Sequence, residues 1–198
     1  MKRLFDILAA VVGLIVLSPV LLFAALAILI LDGWPLLFFH ERVGRNGRAF
    51  KLVKLRTMTV SQNGEKGGFD VGNRKRVTAI GRLLRRAKID ELPQLWNVLA
   101  GDMSMVGPRP EVRKWTEVYP ERWAFVHTVR PGITDPAAIA FRYEEEFLAS
   151  ADDPEKTYRL EVLPKKLDMY ETYVRNRSFG GDLKIIWRTL REVLHGIL

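Results

Sequence analysis

A long apolar segment near the N-terminus limits what this chain can fold into. Residues 7–31 contain no charged side chain. A straight helix of this segment would reach about 37 Å, which exceeds the roughly 30 Å hydrocarbon core of a bilayer. The run is longer than the core of a signal peptide and stays apolar beyond Ala25-Leu26-Ala27, which disfavours cleavage there. The sequence therefore predicts a segment that enters a membrane.

Ser18 and Pro19 interrupt this segment near its middle. Proline removes one helical hydrogen bond and clashes one turn back, so we expect a bend, with the Ser18 hydroxyl bonding a carbonyl that Pro19 frees. The positive-inside tendency places both ends of the segment on the cytoplasmic face. A bent, re-entrant helix satisfies both ends, and a proline-kinked full span is the alternative. The basic residues that flank the segment are Lys2, Arg3, Arg42, Arg45, Arg48, Lys51 and Lys54.

The composition restricts the partners and cofactors of the chain. Its formal net charge of +8 indicates an anionic partner, which can be a nucleic acid, an acidic lipid surface or a phosphorylated substrate. There is no cysteine, and the three histidines are widely spaced, which excludes disulfides and disfavours a zinc site. The length of 198 residues allows one domain and an appendage.

We predict a re-entrant membrane helix and interfacial anchor at residues 1–35, packed with a compact cytoplasmic catalytic domain at 36–198. Trp34, Phe38 and Phe39 are expected either as membrane anchors or as core residues. The fold class is mainly α with a small β element. A strand or hairpin arm is predicted at 49–55, a polar loop or lid at 61–73, and turn-rich loops at 101–110 and 130–136. Helices are predicted after a Thr78 cap and at 92–99, at 115–126 with a break near Pro120, at 158–174 with a break or kink at Pro164, and at 182–198. The last helix is amphipathic and is expected either to pack on the core or to lie on the membrane.

Two adjacent carboxylates, Asp90 and Glu91, precede the helix predicted at 92–99. One interpretation is structural: Asp90 caps the helix, and Glu91 complements its dipole. The other is chemical: one carboxylate attacks phosphorus, and the second holds Mg²⁺ against phosphate oxygens. Arginines favour the chemical interpretation because their permanent, planar charges match phosphate. These arginines are Arg82, Arg85, Arg86 and Arg109, the last of which is restricted by Pro108 and Pro110.

Several stretches resemble, in the same order, the bacterial sugar transferase family, the monotopic phosphoglycosyl transferases. The resemblance runs from residue 2 to residue 142, with a weaker similarity at 178–186. The stretches that carry it are Lys2-Arg3-Leu4-Phe5-Asp6, Ser18-Pro19, and residues 50–58, 90–99, 101–110 and 130–134.

The resemblance implies an enzyme of the bacterial inner membrane with its catalytic domain on the cytoplasmic face. It would transfer a sugar-1-phosphate from a UDP-sugar to undecaprenyl phosphate and release UMP, through a covalent aspartyl intermediate and ping-pong kinetics. By position, Asp90 is the nucleophile, and Glu91 assists it and binds Mg²⁺ together with Asp90. The residues implied to contact phosphate are Lys54, Arg85, Arg109 and Arg142. Membrane lipid is a partner and nucleic acid is not, and the resemblance assigns neither the sugar nor an oligomeric state.

Two positions depart from the pattern of the family. Asp135-Pro136 follows residues 130–134 where many relatives have Gly-Trp, and Lys88 stands where a small hydroxyl residue is common. Two other functions are compatible with the residues. One is a membrane-anchored basic protein that binds anionic lipid or another polyanion without catalysis, and the other is the same reaction without a covalent intermediate.

Overall fold

The computed structural model describes residues 1–59 and 76–197, so the loop or lid expected at 61–73 lies outside the described residues. The described part is mostly helical with two small sheets, as predicted. Its helices are α1 (Lys2–Leu31), α2 (Ala79–Arg86), α3 (Gln94–Ala100), α4 (Arg113–Thr116), α5 (Pro120–Val126), α6 (Pro136–Ala140), α7 (Glu144–Ala149), α8 (Pro154–Thr157), α9 (Leu163–Asn176) and α10 (Phe179–Ile197). Its strands are β1 (Leu37–Val43), β2 (Ala49–Leu55), β3 (Ser104–Val106) and β4 (Gly132–Thr134).

The N-terminal end of α1 is bonded to the rest of the chain through its polar residues. Asp6 is buried, and its carboxylate accepts hydrogen bonds from the Ser104 hydroxyl at 2.9 Å and the Met105 amide at 3.0 Å. The Arg3 guanidinium donates to the Val98 carbonyl oxygen of α3 at 2.6 Å. Arg3 thereby satisfies a carbonyl near the end of α3, where the helix has no further amides to offer.

The C-terminal end of α1 packs on the same domain. Ile28 is fully buried in an apolar cluster with Leu55 of β2 and Leu84 of α2. Just beyond β2, the Arg56 guanidinium donates to the Gly33 carbonyl oxygen at 2.7 Å. Both ends of α1 therefore contact one domain, although the helix is long and apolar enough to cross a membrane.

Pro19 lies inside α1, which is one continuous helix. The proline leaves the Ile15 carbonyl oxygen without its usual amide donor, and the Ser18 hydroxyl donates to that oxygen at 2.7 Å. The expected compensation by Ser18 is thus confirmed, while the bend itself stays a prediction. The side of α1 that faces away from the domain is apolar and exposed, as at Val16 and Phe23.

Asn97 joins the hairpin to α3. Strands β1 and β2 pair antiparallel with Phe38 opposite Lys54, which confirms the strand predicted at 49–55. The buried Asn97 side chain accepts from the Val53 amide at 3.0 Å and donates to the Lys51 carbonyl oxygen at 2.8 Å. These two bonds hold α3 against β2, so the turn that precedes α3 lies beside Lys54.

Strands β3 and β4 form a parallel pair that the sequence reasoning missed, with Ser104 opposite Gly132. Both strands lie in segments that were predicted as turn-rich loops. A Cβ atom on Gly132 would lie 2.1 Å from the Gly107 amide nitrogen, so this approach of the two backbones requires glycine. The pair fixes the start of the loop that carries Arg109, because the Gly107 amide donates to the Thr134 carbonyl oxygen at 3.1 Å.

The helices α4–α9 contribute a separate apolar core. The break predicted near Pro120 falls between α4 and α5, and the interruption predicted near Pro164 is a π-helical turn, Tyr158–Val162, directly before α9. The core contains Trp115, Trp123, Val126, Ala137, Leu148, Tyr158, Val162, Leu163, Leu167 and Tyr170.

Helix α10 packs on the core, which is one of the two arrangements that the sequence allowed, and its contact with a membrane stays a prediction. Ile185 and Ile186 pack against a cluster that includes Val106 and Tyr173. The neighbouring side of the helix exposes an apolar stripe of Phe179, Leu183, Trp187 and Leu190. The Phe179 ring contacts Phe5 of α1 edge-on at a centroid distance of 5.3 Å, so the exposed stripe begins beside the membrane helix.

Candidate active site

Asp90 lies in a 3₁₀ turn, Ile89–Glu91, between α2 and α3. Its side chain is buried, and its Oδ1 atom has no hydrogen-bond partner. The capping interpretation of Asp90 is wrong, because Pro93 occupies the N-cap of α3 and Lys88 that of the 3₁₀ turn, and neither end has a side-chain cap. A buried carboxylate oxygen without a partner is costly in a folded protein, which makes Asp90 a candidate for chemistry.

Glu91 is neutralised by two cationic side chains. Its Oε1 atom accepts from Lys54 Nζ at 2.8 Å and from Arg109 Nη2 at 2.5 Å, and its Oε2 atom accepts from Arg109 Nη1 at 3.3 Å. Lys54 comes from β2 and Arg109 from the loop after β3, so Glu91 ties together three separate parts of the chain. The structure therefore brings Lys54, Glu91 and Arg109 together, while the phosphate contacts implied for Lys54 and Arg109 stay predictions.

The two carboxyl groups have opposite shifts in pKa. Burial raises the pKa of Asp90, and the Glu91 carboxylate raises it further. Burial also acts to raise the pKa of Glu91, but Arg109 and Lys54 hold it well below its usual range. Near neutral pH, Glu91 is therefore a firmly ionised partner of its cations, and Asp90 is the more basic carboxylate.

Arg85 reaches the site from the last turn of α2. Its Nε donates to the Thr57 hydroxyl at 3.0 Å, and its charge acts to lower the pKa of Asp90. The backbone of α2 passes so close to Thr57 that a Cβ atom on Gly81 would lie 2.2 Å from the Thr57 carbonyl oxygen. Only glycine allows this approach, which positions Arg85 relative to the hairpin.

The loop around Arg109 is fixed at several points. The Pro108 carbonyl oxygen accepts from the Gly132 amide at 3.0 Å. The guanidinium of Arg109 has its pKa raised, chiefly by Glu91, with a further contribution from Asp135. Asp135 is fully buried, and its Oδ1 accepts from the Ala138 amide at 2.9 Å, which caps α6. The expected fixed direction of Arg109 is supported by these contacts.

Arg142 contacts α10 and the ring of the neighbouring Tyr143. Its Nη1 donates to Glu192 at 2.9 Å, and its guanidinium lies over the Tyr143 ring at 5.6 Å from the centroid. The phosphate contact implied for Arg142 stays a prediction. Ser18 and Pro19, the remaining residues singled out from the sequence, lie inside α1 and outside the ion-paired cluster.

The whole chain matches a known family. The family model described as "Bacterial sugar transferase" covers residues 1–196. The chain belongs to the bacterial sugar transferase family.

Relatives of this family match nearly the full chain. It is 41% identical over 194 residues to "Uncharacterized sugar transferase EpsL" of Bacillus subtilis, covering 98% of this chain and 87% of that protein. It is 38% identical over 200 residues to an Aeromonas hydrophila protein named UDP-N-acetylgalactosamine-undecaprenyl-phosphate N-acetylgalactosaminephosphotransferase, covering 98% of this chain but 44% of that protein. A Caulobacter vibrioides UDP-glucose:undecaprenyl-phosphate glucose-1-phosphate transferase is 37% identical over 196 residues, covering 98% of this chain and 69% of that protein.

Metal binding in this family member would centre on its two carboxylates. Among the described residues, no group of three or more His, Cys, Asp or Glu side chains is arranged to hold a metal ion. Both oxygens of Glu91 accept from cationic groups, whereas Asp90 Oδ1 has no partner. Asp90 is therefore the side chain that fits a metal ion best, and Mg²⁺ would need further oxygens from substrate phosphate and water.

Two positioning residues of the site were missed by the sequence reasoning. Asn97 holds α3 to β2, and its position within the stretch 90–99 was noted without a role. Asp135 was noted only as a departure from the pattern of the family, yet it is the second carboxylate that stabilises the charge of Arg109. A polar residue inside an apolar helical repeat is the signal that could have identified Asn97.

Proposed function

We propose that this chain transfers a sugar-1-phosphate from a UDP-sugar to undecaprenyl phosphate and releases UMP. Two adjacent residues of this family member carry the proposal: a buried Asp90 oxygen has no hydrogen-bond partner, whereas the charge of Glu91 is neutralised by Lys54 and Arg109. The names of the Aeromonas and Caulobacter relatives support the two substrate classes.

In the first step, a carboxylate oxygen of Asp90 attacks the phosphorus that carries the sugar. The bond between this phosphorus and the bridging oxygen of the diphosphate breaks, UMP leaves with that oxygen, and an aspartyl phospho-sugar remains. The raised pKa of Asp90 makes its ionised carboxylate a better nucleophile, and the charges of Lys54, Lys88 and Arg85 favour the ionised form.

In the second step, a phosphate oxygen of undecaprenyl phosphate attacks the same phosphorus. The acyl phosphate bond breaks, Asp90 is regenerated as a carboxylate, and the lipid-linked sugar diphosphate leaves. Phosphoryl transfer depends on positioning and on neutralising charge. The charges of Lys54 and Arg85 act on Asp90, and Arg109 pairs with the neighbouring Glu91.

The resemblance also implies Mg²⁺, and the residues present fit it through Asp90. The unpartnered Oδ1 of Asp90 would be its protein ligand, and Glu91 would join only by exchanging one of its cationic partners. When bound, the ion would neutralise negative charge on the phosphate oxygens.

We propose a location on the cytoplasmic face of the bacterial inner membrane, with α1 re-entrant. Support comes from the contacts of both ends of α1 with the same domain, since a domain on one side of a bilayer cannot hold both ends of a spanning helix. The exposed apolar stripe on α10, which starts beside Phe5, would lie at the same surface. Single cysteines placed at Lys2 and Arg45 test this location, and labelling from opposite sides of the membrane would contradict it.

The reaction is tested with protein in lipid nanodiscs, undecaprenyl phosphate and a panel of UDP-sugars. We expect one UDP-sugar to yield UMP and a lipid-linked sugar diphosphate in equal amounts. Asp152→Asn is the matched control, because it removes an exposed carboxylate outside the site and should leave turnover unchanged. Salt-sensitive lipid binding without UMP release from any UDP-sugar would instead favour the anionic-lipid binding protein.

A further inference from the structure

Lys88 has an unusual backbone at the point where α2 ends. Its φ of 57° and ψ of 18° lie in the left-handed region, where a lysine side chain is disfavoured. Among the described residues, Asn46 is the other non-glycine residue with a positive φ, and asparagine tolerates this region better than lysine does. Such strain persists only where the surrounding structure holds it in place.

The surroundings of Lys88 do hold this conformation. Its amide donates to the Arg85 carbonyl oxygen at 3.1 Å, and its carbonyl oxygen accepts from the Glu91 amide at 3.3 Å. The next residue, Ile89, packs in the cluster that contains Ile28 of the membrane helix. The turn therefore places Asp90 inside the protein while the Lys88 side chain is exposed beside it.

The charge of Lys88 differs from that of the other cations around the two carboxylates. Lys54 and Arg109 share Glu91, and the Arg85 guanidinium donates to the Thr57 hydroxyl. Lys88 forms no ion pair with a carboxylate within residues 1–59 and 76–197. It is nonetheless close enough for its charge to act on both Asp90 and Glu91.

We propose that the Lys88 ammonium binds a phosphate oxygen of the substrate at Asp90. This inference rests on the proposed function and adds Lys88 to the residues proposed to contact phosphate. The ligand is a phosphate group with two possible sources, the diphosphate of the nucleotide sugar or the phosphate of the lipid. An exposed ammonium that has no carboxylate partner among the described residues suits this role, because its charge reduces the repulsion between Asp90 and an incoming anion.

The variants separate charge from backbone strain. Lys88→Gln removes the charge and keeps a side chain in the strained backbone region. Lys88→Gly removes the charge and also relieves the strain. Lys88→Arg keeps the charge. Lys165→Gln, an exposed lysine on α9, is the matched control. Each variant is first checked for folding by its thermal midpoint, which Lys88→Gly should raise relative to Lys88→Gln.

Binding of UDP is measured by titration calorimetry, and kcat/KM is measured separately for the UDP-sugar and for undecaprenyl phosphate. We expect Lys88→Gln and Lys88→Gly to lower at least one of these quantities about tenfold, as for the loss of a charge-assisted hydrogen bond, and Lys88→Arg to restore most of it. A loss for UDP and the UDP-sugar alone assigns Lys88 to the nucleotide diphosphate, and a loss for undecaprenyl phosphate alone assigns it to the lipid phosphate. A loss for both assigns it to the phosphate that is transferred.

Unchanged UDP affinity together with unchanged kcat/KM for both substrates in Lys88→Gln and Lys88→Gly would overturn the proposal. An equal loss in Lys88→Arg would also overturn it, because the charge would then not be the cause. The proposed function can fail separately: absence of UMP release by the wild type, with UDP affinity that still depends on Lys88, would overturn the transfer reaction alone.

Discussion

The two sides of the candidate site differ in how completely their charges are satisfied. On one side, Glu91 is held by Lys54 and Arg109, and every oxygen of its carboxylate has a cationic donor. On the other side, Asp90 has a buried oxygen without a partner, and the adjacent Lys88 is strained and exposed. Adjacent residues of similar chemistry thus have different roles, because one is part of a completed ion-pair network and the other is available for reaction.

The largest expected difference between the two sides is in catalysis. Asp90→Asn removes the proposed nucleophile, so we expect UMP release to fall by on the order of a thousandfold or more. UMP release under saturating UDP-sugar measures this effect. Undiminished release in Asp90→Asn would remove the functional distinction between the two carboxylates and would favour a reaction without a covalent intermediate.

The next effect concerns stability on the Glu91 side. Glu91→Gln leaves Lys54 and Arg109 close together without their anion, so the free energy of unfolding should fall by on the order of 3 kcal/mol. The matched control is Glu155→Gln, which removes an exposed ion pair with Lys114 and should cost about 0.5 kcal/mol. Chemical denaturation measures both changes. Equal losses in the two variants would show that the ion pairs of Glu91 contribute no more to the free energy of unfolding than an exposed ion pair does.

Removing the charge of Asp90 should raise the free energy of unfolding, whereas removing the charge of Glu91 should lower it. Because the pKa of Asp90 is raised, its ionised form costs folding free energy, and Asp90→Asn should stabilise the protein near pH 7 by about 1 kcal/mol. The stability linked to Asp90 is full below its unfolded pKa and is lost as pH rises through the folded value. The contribution of Glu91, whose pKa is lowered, is full above its unfolded pKa and is lost as pH falls through the folded value.

Thermal midpoints of the wild type, Asp90→Asn and Glu91→Gln between pH 4 and pH 8 check these opposite trends. The advantage of Asp90→Asn over the wild type should shrink toward acid pH. A constant advantage across this range would contradict the raised pKa of Asp90. The same pKa places the acid limb of the pH–rate profile above the ordinary range of an aspartate.

The smallest expected effect is at the strained turn. Lys88→Gly relieves the left-handed strain but adds freedom to the unfolded chain, so a net stabilisation of roughly 0.5 kcal/mol is expected. Asn46→Gly is the matched control, because asparagine already tolerates a positive φ and gains less. Equal changes in the two variants would show that the backbone of Lys88 is not under special strain.

Much of the fold follows from residue patterns that act locally. The apolar run predicted α1, and the alternation at 49–55 predicted β2. The apolar repeat with Pro93 near its start predicted α3, although the residues before it form a separate 3₁₀ turn. These elements depend on periodicity and on proline, which act within a few residues.

Long-range pairing could not be read in the same way. Strands β3 and β4 have three residues each, too few for a period to emerge, and their pairing depends on the close contact of Gly107 with Gly132. The glycines were visible in the sequence, but their partners were not. The same limit applied to Arg142, whose pairing with Glu192 depends on where α10 packs.

The residues of the candidate site were predicted from the sequence, but their contacts were not. Motif resemblance selected Asp90, Glu91, Lys54 and Arg109, but it did not reveal how their charges are shared. The capping interpretation failed because a local rule places an Asp before a helix at its cap, whereas the backbone turn at Lys88 is followed by a buried Asp90. Tertiary packing decided which carboxylate was satisfied.

Intact-mass spectrometry most directly tests the role of Asp90 as a nucleophile. The protein is mixed with a UDP-sugar that supports UMP release, without undecaprenyl phosphate, and is quenched at short times. We expect the wild type and the Asp152→Asn control to gain the mass of one sugar phosphate, the adduct to disappear on addition of undecaprenyl phosphate, and Asp90→Asn to gain no mass. An adduct of the same mass on Asp90→Asn, or none on a wild-type protein that releases UMP, would contradict the assignment of Asp90 as the residue that forms the bond.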